Sequence, residues 1–132
     1  MTTLIELPQP QDIDSYFRTD VLIANSRLDQ ARICAAVETV FVAHPALKIR
    51  PWGGWGWAVE PPGVAVAEVI ARQRASFDMR LGRFFAVSLL PGDRQRLVLA
   101  ASYLCADKAY WRAIVDEVVT AYGDEVLLRE AA

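Results

Sequence analysis

Apolar residues change their spacing along the chain, and each change marks an element. Tyr16 to Ala24 (YFRTDVLIA) has the length and composition of a strand. From Leu28 to His44 the spacing lengthens. Ile33, Cys34, Val37, Val40 and Phe41 recur at three- and four-residue steps, while Arg32, Glu38 and Thr39 fall largely off that stripe. Asn25-Ser26 supplies turn and cap chemistry ahead of this helix. Pro45 ends it, because the residue before a proline is pushed out of the helical region. Val64 to Ser76 reads as a short helix with Val66, Ala67 and Ile70 on one face. Phe84 to Leu90 is a strand, Pro91-Gly92-Asp93 a turn, and Arg94 to Cys105 the returning antiparallel partner. Leu97 to Cys105 is dense enough in Leu, Val and Ala to be buried on both faces. Trp111, Ile114, Val115, Val118, Val119 and Tyr122 then trace one face of a last helix, which Gly123 ends.

The last strand and the last helix meet at a short polar corner, Ser102 to Lys108. Asp107 stands there, where a carboxylate accepts from free backbone N–H groups and favours the positive end of the helix dipole. Open sheets often carry their sites at such strand ends. Pro51 to Pro62 (PWGGWGWAVEPP) sets Trp52, Trp55 and Trp57 among glycines. These tryptophans either form an interface, where Trp is favoured, or cover the end of the core. The expected division is a flexible tail over 1–14, a single domain over 15–123, and a polar C-terminal tail or short helical turn over 124–132.

Composition narrows the function classes. The formal net charge is −2, which argues against a nucleic-acid binder. With 54% apolar residues and a mean hydropathy of +0.20, some apolar surface is expected to be covered by a partner. No apolar run is long enough to span a membrane, and the acidic start lacks the basic region of a secretory signal, so the expected setting is the reducing cytoplasm. Cys34 and Cys105 fall inside apolar patterns and read as buried thiols. One histidine and two distant cysteines make no zinc site, and neither a phosphate-binding loop nor a Gly-x-Ser-x-Gly elbow is present. No metal and no cofactor are expected.

The corner Ser102-Tyr103-Leu104-Cys105-Ala106-Asp107-Lys108 resembles the active-site segment of the condensation domains of non-ribosomal peptide synthetases. That family belongs to the chloramphenicol-acetyltransferase-like acyltransferases. Its signature, His-His-x-x-x-Asp-Gly, ends a strand and precedes a helix. Aligned on the aspartate, the first His falls on Ser102, the second, catalytic His on Tyr103, the Asp on Asp107 and the Gly on Lys108. Three further landmarks follow the family in order. Leu28-Asp29 opens a helix, His44-Pro45-Ala46-Leu47-Lys48-Ile49-Arg50 is similar to His-Glu-Ala-Leu-Arg-x-Arg, and Phe77-Asp78 with Gly82 is similar to Phe-Asp-x-x-x-Gly.

The resemblance implies a two-layer α/β sandwich, with a mixed, mostly antiparallel sheet and two to three helices on one face. It covers the N-terminal half of a two-halved domain. It also implies a strand through the tryptophan segment, paired with the strand before it, and a structural pair between Arg50 and Asp107. His44, the single histidine, matches a family histidine away from the catalytic site and is expected to cap helix carbonyls.

A phenol is a poor general base at neutral pH. The candidate catalytic residues are therefore Ser102, Tyr103 and Asp107 in a degenerate motif, with Trp52, Trp55 and Trp57 as interface candidates. The expected function is that of a free-standing, non-catalytic accessory or interaction protein of a non-ribosomal peptide or polyketide assembly line. A carrier protein or a synthetase is its partner, or a homodimer closes the open half. The alternative is a divergent acyl-transfer or cyclising enzyme whose cleft a second chain completes.

Overall fold

The computed structural model describes residues 16–48, 51–123 and 126–130. Strand β1 is Phe17–Ala24, helix α1 Gln30–Ala43, strand β2 Gly56–Val59 and helix α2 Val66–Ser76. Strands β3 (Phe85–Leu90) and β4 (Arg96–Ser102), helix α3 (Lys108–Tyr122) and strand β5 (Leu127–Arg129) follow. The strands form one sheet in the order β2-β3-β4-β1-β5. β1 pairs antiparallel with β4 and with β5, and β3 pairs antiparallel with β4. β2 lies parallel to β3, with Gly56 opposite Ala86.

Side chains alternate across a strand, so each strand sorts its residues onto two faces. Leu22, Ala24, Phe85, Val87, Leu89, Leu97, Leu99 and Ala101 point one way and join Ile33, Val37, Val40, Trp111, Ile114, Val115 and Val118 of α1 and α3 in the main core. The Phe85 ring stacks on Phe41 at 6.4 Å and meets the edge of Trp111 at 6.1 Å. Complete burial of a side chain of this kind contributes about 1.5–3 kcal/mol. Two helices on one face is the expected sandwich, and the main core lies between them and the sheet. The third helix is on the other side: Val69 of α2 packs with Leu90 and Val98 in a second, smaller cluster. Both faces of β3 and β4 are therefore covered, which explains their nearly unbroken apolar run.

Three local expectations are revised. Helix α1 is capped by Asp29, whose Oδ1 accepts from Arg32 N at 3.2 Å, rather than by Asn25-Ser26. Tertiary bonds move the cap: Leu28 N donates to Gln95 Oε1 at 2.7 Å and Asp29 N to the Tyr122 hydroxyl at 2.9 Å, which hold the chain extended to that point. The tryptophan segment does contain a strand, but it pairs with the later β3 and not with the strand before it. The C-terminal stretch is more than a tail or helical turn. Leu127 is buried in the main core and β5 pairs with β1. Arg129 fastens it, donating to Asp20 of β1 and to Asp116 of α3, each at 2.9 Å. The segment expected as an N-terminal tail lies outside the described residues.

Candidate functional site

The corner forms where β4 ends at Ser102 and α3 begins at Lys108. Ser102 is buried, and its Oγ accepts from Leu104 N at 3.2 Å while Cys105 N donates to Ser102 O at 3.0 Å. This turn throws Tyr103 and Leu104 outward and Cys105 inward. Burial pushes the Cys105 thiol up to about 12, against a smaller lowering by its backbone hydrogen bond at Ser102. Asp107 caps α3: its Oδ1 accepts from Tyr110 N at 2.8 Å, as the sequence suggested. Its side chain is exposed. Arg50, the expected partner of Asp107, lies outside the described residues.

Tyr103 N donates to Tyr16 O at 2.9 Å, and the two rings lie 5.1 Å apart. Leu104 is half exposed beside them. The turn leading into β3 reaches the same end of the sheet, tied there by the bond from Ser102 N to Phe84 O at 3.0 Å. Met79 and Leu81 on that turn are exposed, and Trp52 donates its Nε1 to Arg80 O at 3.2 Å while remaining 65% exposed. Exposed apolar side chains thus stand both at the corner, Tyr16, Tyr103 and Leu104, and on the turn before β3, Met79 and Leu81. The three tryptophans separate. Trp55 and Trp57 pack on the edge of the main core, with Trp55 Nε1 donating to Glu38 Oε2 at 2.5 Å, and Trp52 alone faces out.

His44 ends α1, but its ring serves neighbouring side chains and not helix carbonyls. Nδ1 lies 2.6 Å from the Tyr110 hydroxyl and Nε2 contacts the Glu117 carboxylate. Glu117 only accepts, so Nε2 carries a hydrogen, and in the neutral ring Nδ1 takes the Tyr110 proton. Burial, then the charge of Glu117, raises the Tyr110 phenol above its ordinary pKa. This bridge locks α1 to α3. His44 is therefore placed as a structural residue.

One group of polar residues carries little sequence signal. Gln73 of α2 is buried under the sheet's second face, where its Nε2 donates to Ser88 Oγ at 3.1 Å and to Val98 O at 2.9 Å. Beside it Glu60 is buried and pairs with Arg72. Glu60 was hidden in an apolar, proline-flanked stretch. The only available signal for Gln73 was its place one helical turn beyond Val69 and Ile70. Among the described residues no cluster of His, Cys, Asp and Glu that could hold a metal occurs, and no helix is long and apolar enough to cross a membrane.

No protein-family model and no curated protein matches the chain. Solved structures do. The starter condensation domain of the rhizomide synthetase RzmA superposes with a TM-score of 0.66 at 16% identity, over 82% of this chain and 32% of that one. The epimerization domain from the third module of tyrocidine synthetase B gives 0.67 at 17%, over 82% and 29%. The X-domain in its complex with OxyB, from teicoplanin biosynthesis, gives 0.66 at 17%, over 82% and 27%. At this identity the likeness is one of fold. The chain spans about a third of the length of the structures it matches. It therefore has the fold of part of a condensation domain, a mixed five-stranded sheet with three helices.

Proposed function

We propose that this protein is a condensation-like accessory protein of a non-ribosomal peptide or polyketide assembly line, working by contact and not by catalysis. The observation that carries the reading is the corner. The position that the resemblance gives to the catalytic histidine holds Tyr103, which is exposed with its ring 5.1 Å from that of Tyr16 and with exposed Leu104 next to it in the chain. A face of this kind suits a protein partner better than it suits proton transfer. The solved complex of a like-folded X-domain with OxyB supports a contact role. The Arg50–Asp107 pair, a cytoplasmic setting and closure of the open half by a second copy belong to the same proposal, since two-fold homodimers are the commonest closed oligomers. The rival reading is a divergent acyl-transfer or cyclising enzyme whose cleft a second chain completes, which the likeness of fold to a starter condensation domain supports.

The test offers the protein an aminoacyl thioester on a carrier protein with an amine acceptor, and follows both product and complex formation. The expected result is no amide product, with association on light scattering that Leu104→Glu removes. Product formation that Tyr103→Phe abolishes would establish the rival. A monomer that ignores the carrier protein would overturn the contact role.

A further inference from the structure

The two edge strands of the sheet are finished differently. β5 is three residues long, and its Arg129 is held by Asp20 and Asp116. A short, charged edge discourages further pairing. β2 carries no charge over Gly56–Val59, and its Ala58 and Val59 are exposed. The register sorts its backbone groups. Glu60 N donates to Leu89 O at 2.9 Å, and Val59 lies opposite Leu89. In a parallel ladder alternate residues turn both of their groups to the same neighbour, so Gly56, Ala58 and Glu60 face β3. Trp57 and Val59 turn their N–H and C=O groups the other way, where no described residue bonds them. The free ladder stops there, because the next outward residue, Pro61, has no N–H.

We propose that a second copy of this chain occupies this edge, its β2 antiparallel to the first about a two-fold axis through Ala58. The edge is complementary to itself in three respects. Trp57 of each copy pairs with Val59 of the other, so all four free N–H groups meet the four free C=O groups. The same pairing sets each Trp57 ring beside an exposed Val59, an aromatic and β-branched cross-strand pair, while Ala58 meets its own copy where side chains come closest and a small one fits. The charges also match. The Arg83 δ-carbon lies 3.8 Å from where a Cβ on Gly56 would sit, whereas the far end of β2 carries Glu60 and Glu68 against Arg72 alone. The two-fold places Gly56 opposite Glu60 of the second copy, so the basic end meets the acidic end; a parallel pairing would set like ends together. The inference rests on the closure by a second copy proposed above, gives that closure its surface, and leaves the corner free for a carrier protein.

Sedimentation equilibrium of the full chain measures the dimer. The expected dissociation constant is about 10–100 μM, as suits four hydrogen bonds and a small contact. Val59→Pro removes one outward N–H per copy and none that faces β3. It should keep the circular dichroism of the wild type and weaken the dimer by at least ~10-fold. Arg83→Glu gives both ends the same sign and should weaken it by ~3-fold at low salt. In a Cys34→Ser background, Ala58→Cys should crosslink two copies under mild oxidation, since directly opposed residues of this kind have Cα atoms about 4.5 Å apart. Val59→Cys should not, because the register separates the two Cα atoms by about 8 Å. A dimer that survives Val59→Pro, or that crosslinks as readily through Val59→Cys as through Ala58→Cys, would overturn this edge while leaving closure by another surface. A monomer at ~1 mM would overturn the closure itself and this edge with it. Neither result bears on carrier-protein contact at the corner, which Leu104→Glu tests.

Discussion

The two faces of the sheet are held by different means. Under α1 and α3 the buried contacts are mainly apolar, from Leu22 through Phe85 and Leu97 to Ile114. Under α2 the apolar cluster is small, and Gln73, Ser88 and Glu60 are buried with it. An apolar interface tolerates many side chains of similar volume, whereas a buried amide tolerates only partners that meet it with the right donor or acceptor. The first face thus supplies stability. The second supplies specificity of contact.

The largest test of this contrast is to hollow out each side in turn. Phe85→Ala should cost about 3–5 kcal/mol, read from the urea midpoint at unchanged slope. Val98→Ala on the opposite face should cost about 2 kcal/mol or less. Equal losses would mean that α2 carries as much of the core as α1 and α3. Next in size is Gln73→Leu, which removes the hydrogen bonds to Ser88 Oγ and Val98 O and should cost about 1–1.5 kcal/mol although it adds apolar surface. A stabilised Gln73→Leu would show that the polar contacts are dispensable to the fold. The smallest is Asp107→Ala. Loss of the α3 cap should cost about 1 kcal/mol, with Asp107→Asn recovering most of it. A loss of about 3–5 kcal/mol would instead reveal a buried charge pair with Arg50.

The same contrast governs what was legible beforehand. The α3 stripe from Trp111 to Tyr122 and the Asp107 cap could be read because period and capping are local properties of sequence. The fold likeness was legible through spaced landmarks such as Phe77-Asp78 and Asp107. Strand β5 was not, because three residues offer too short an alternation and Leu127 is drawn in by pairing with β1. The α1 cap was misplaced because Gln95 and Tyr122, far away in sequence, decide where the helix starts. Gln73 was invisible for the same reason, since the groups that justify burying it sit on β3 and β4. At the corner the residues and the turn were legible, but the packing of Tyr16 against Tyr103 was not, because it depends on the pairing of β1 with β4.

The place of β1 has a consequence for how the chain reaches this structure. It is the first strand described, yet both of its partners, β4 and β5, come from the far end of the sequence. Pairing across such a separation closes a long loop before any contact rewards it, which slows the search. On the ribosome β1 emerges well before β4, and its apolar residues Leu22, Ile23 and Ala24 must wait without a ladder. That interval, in which an unpaired strand meets other nascent chains, is when this protein is most exposed to aggregation. Expression yield should therefore depend on temperature and chaperone supply more steeply than the completed fold's stability alone would suggest.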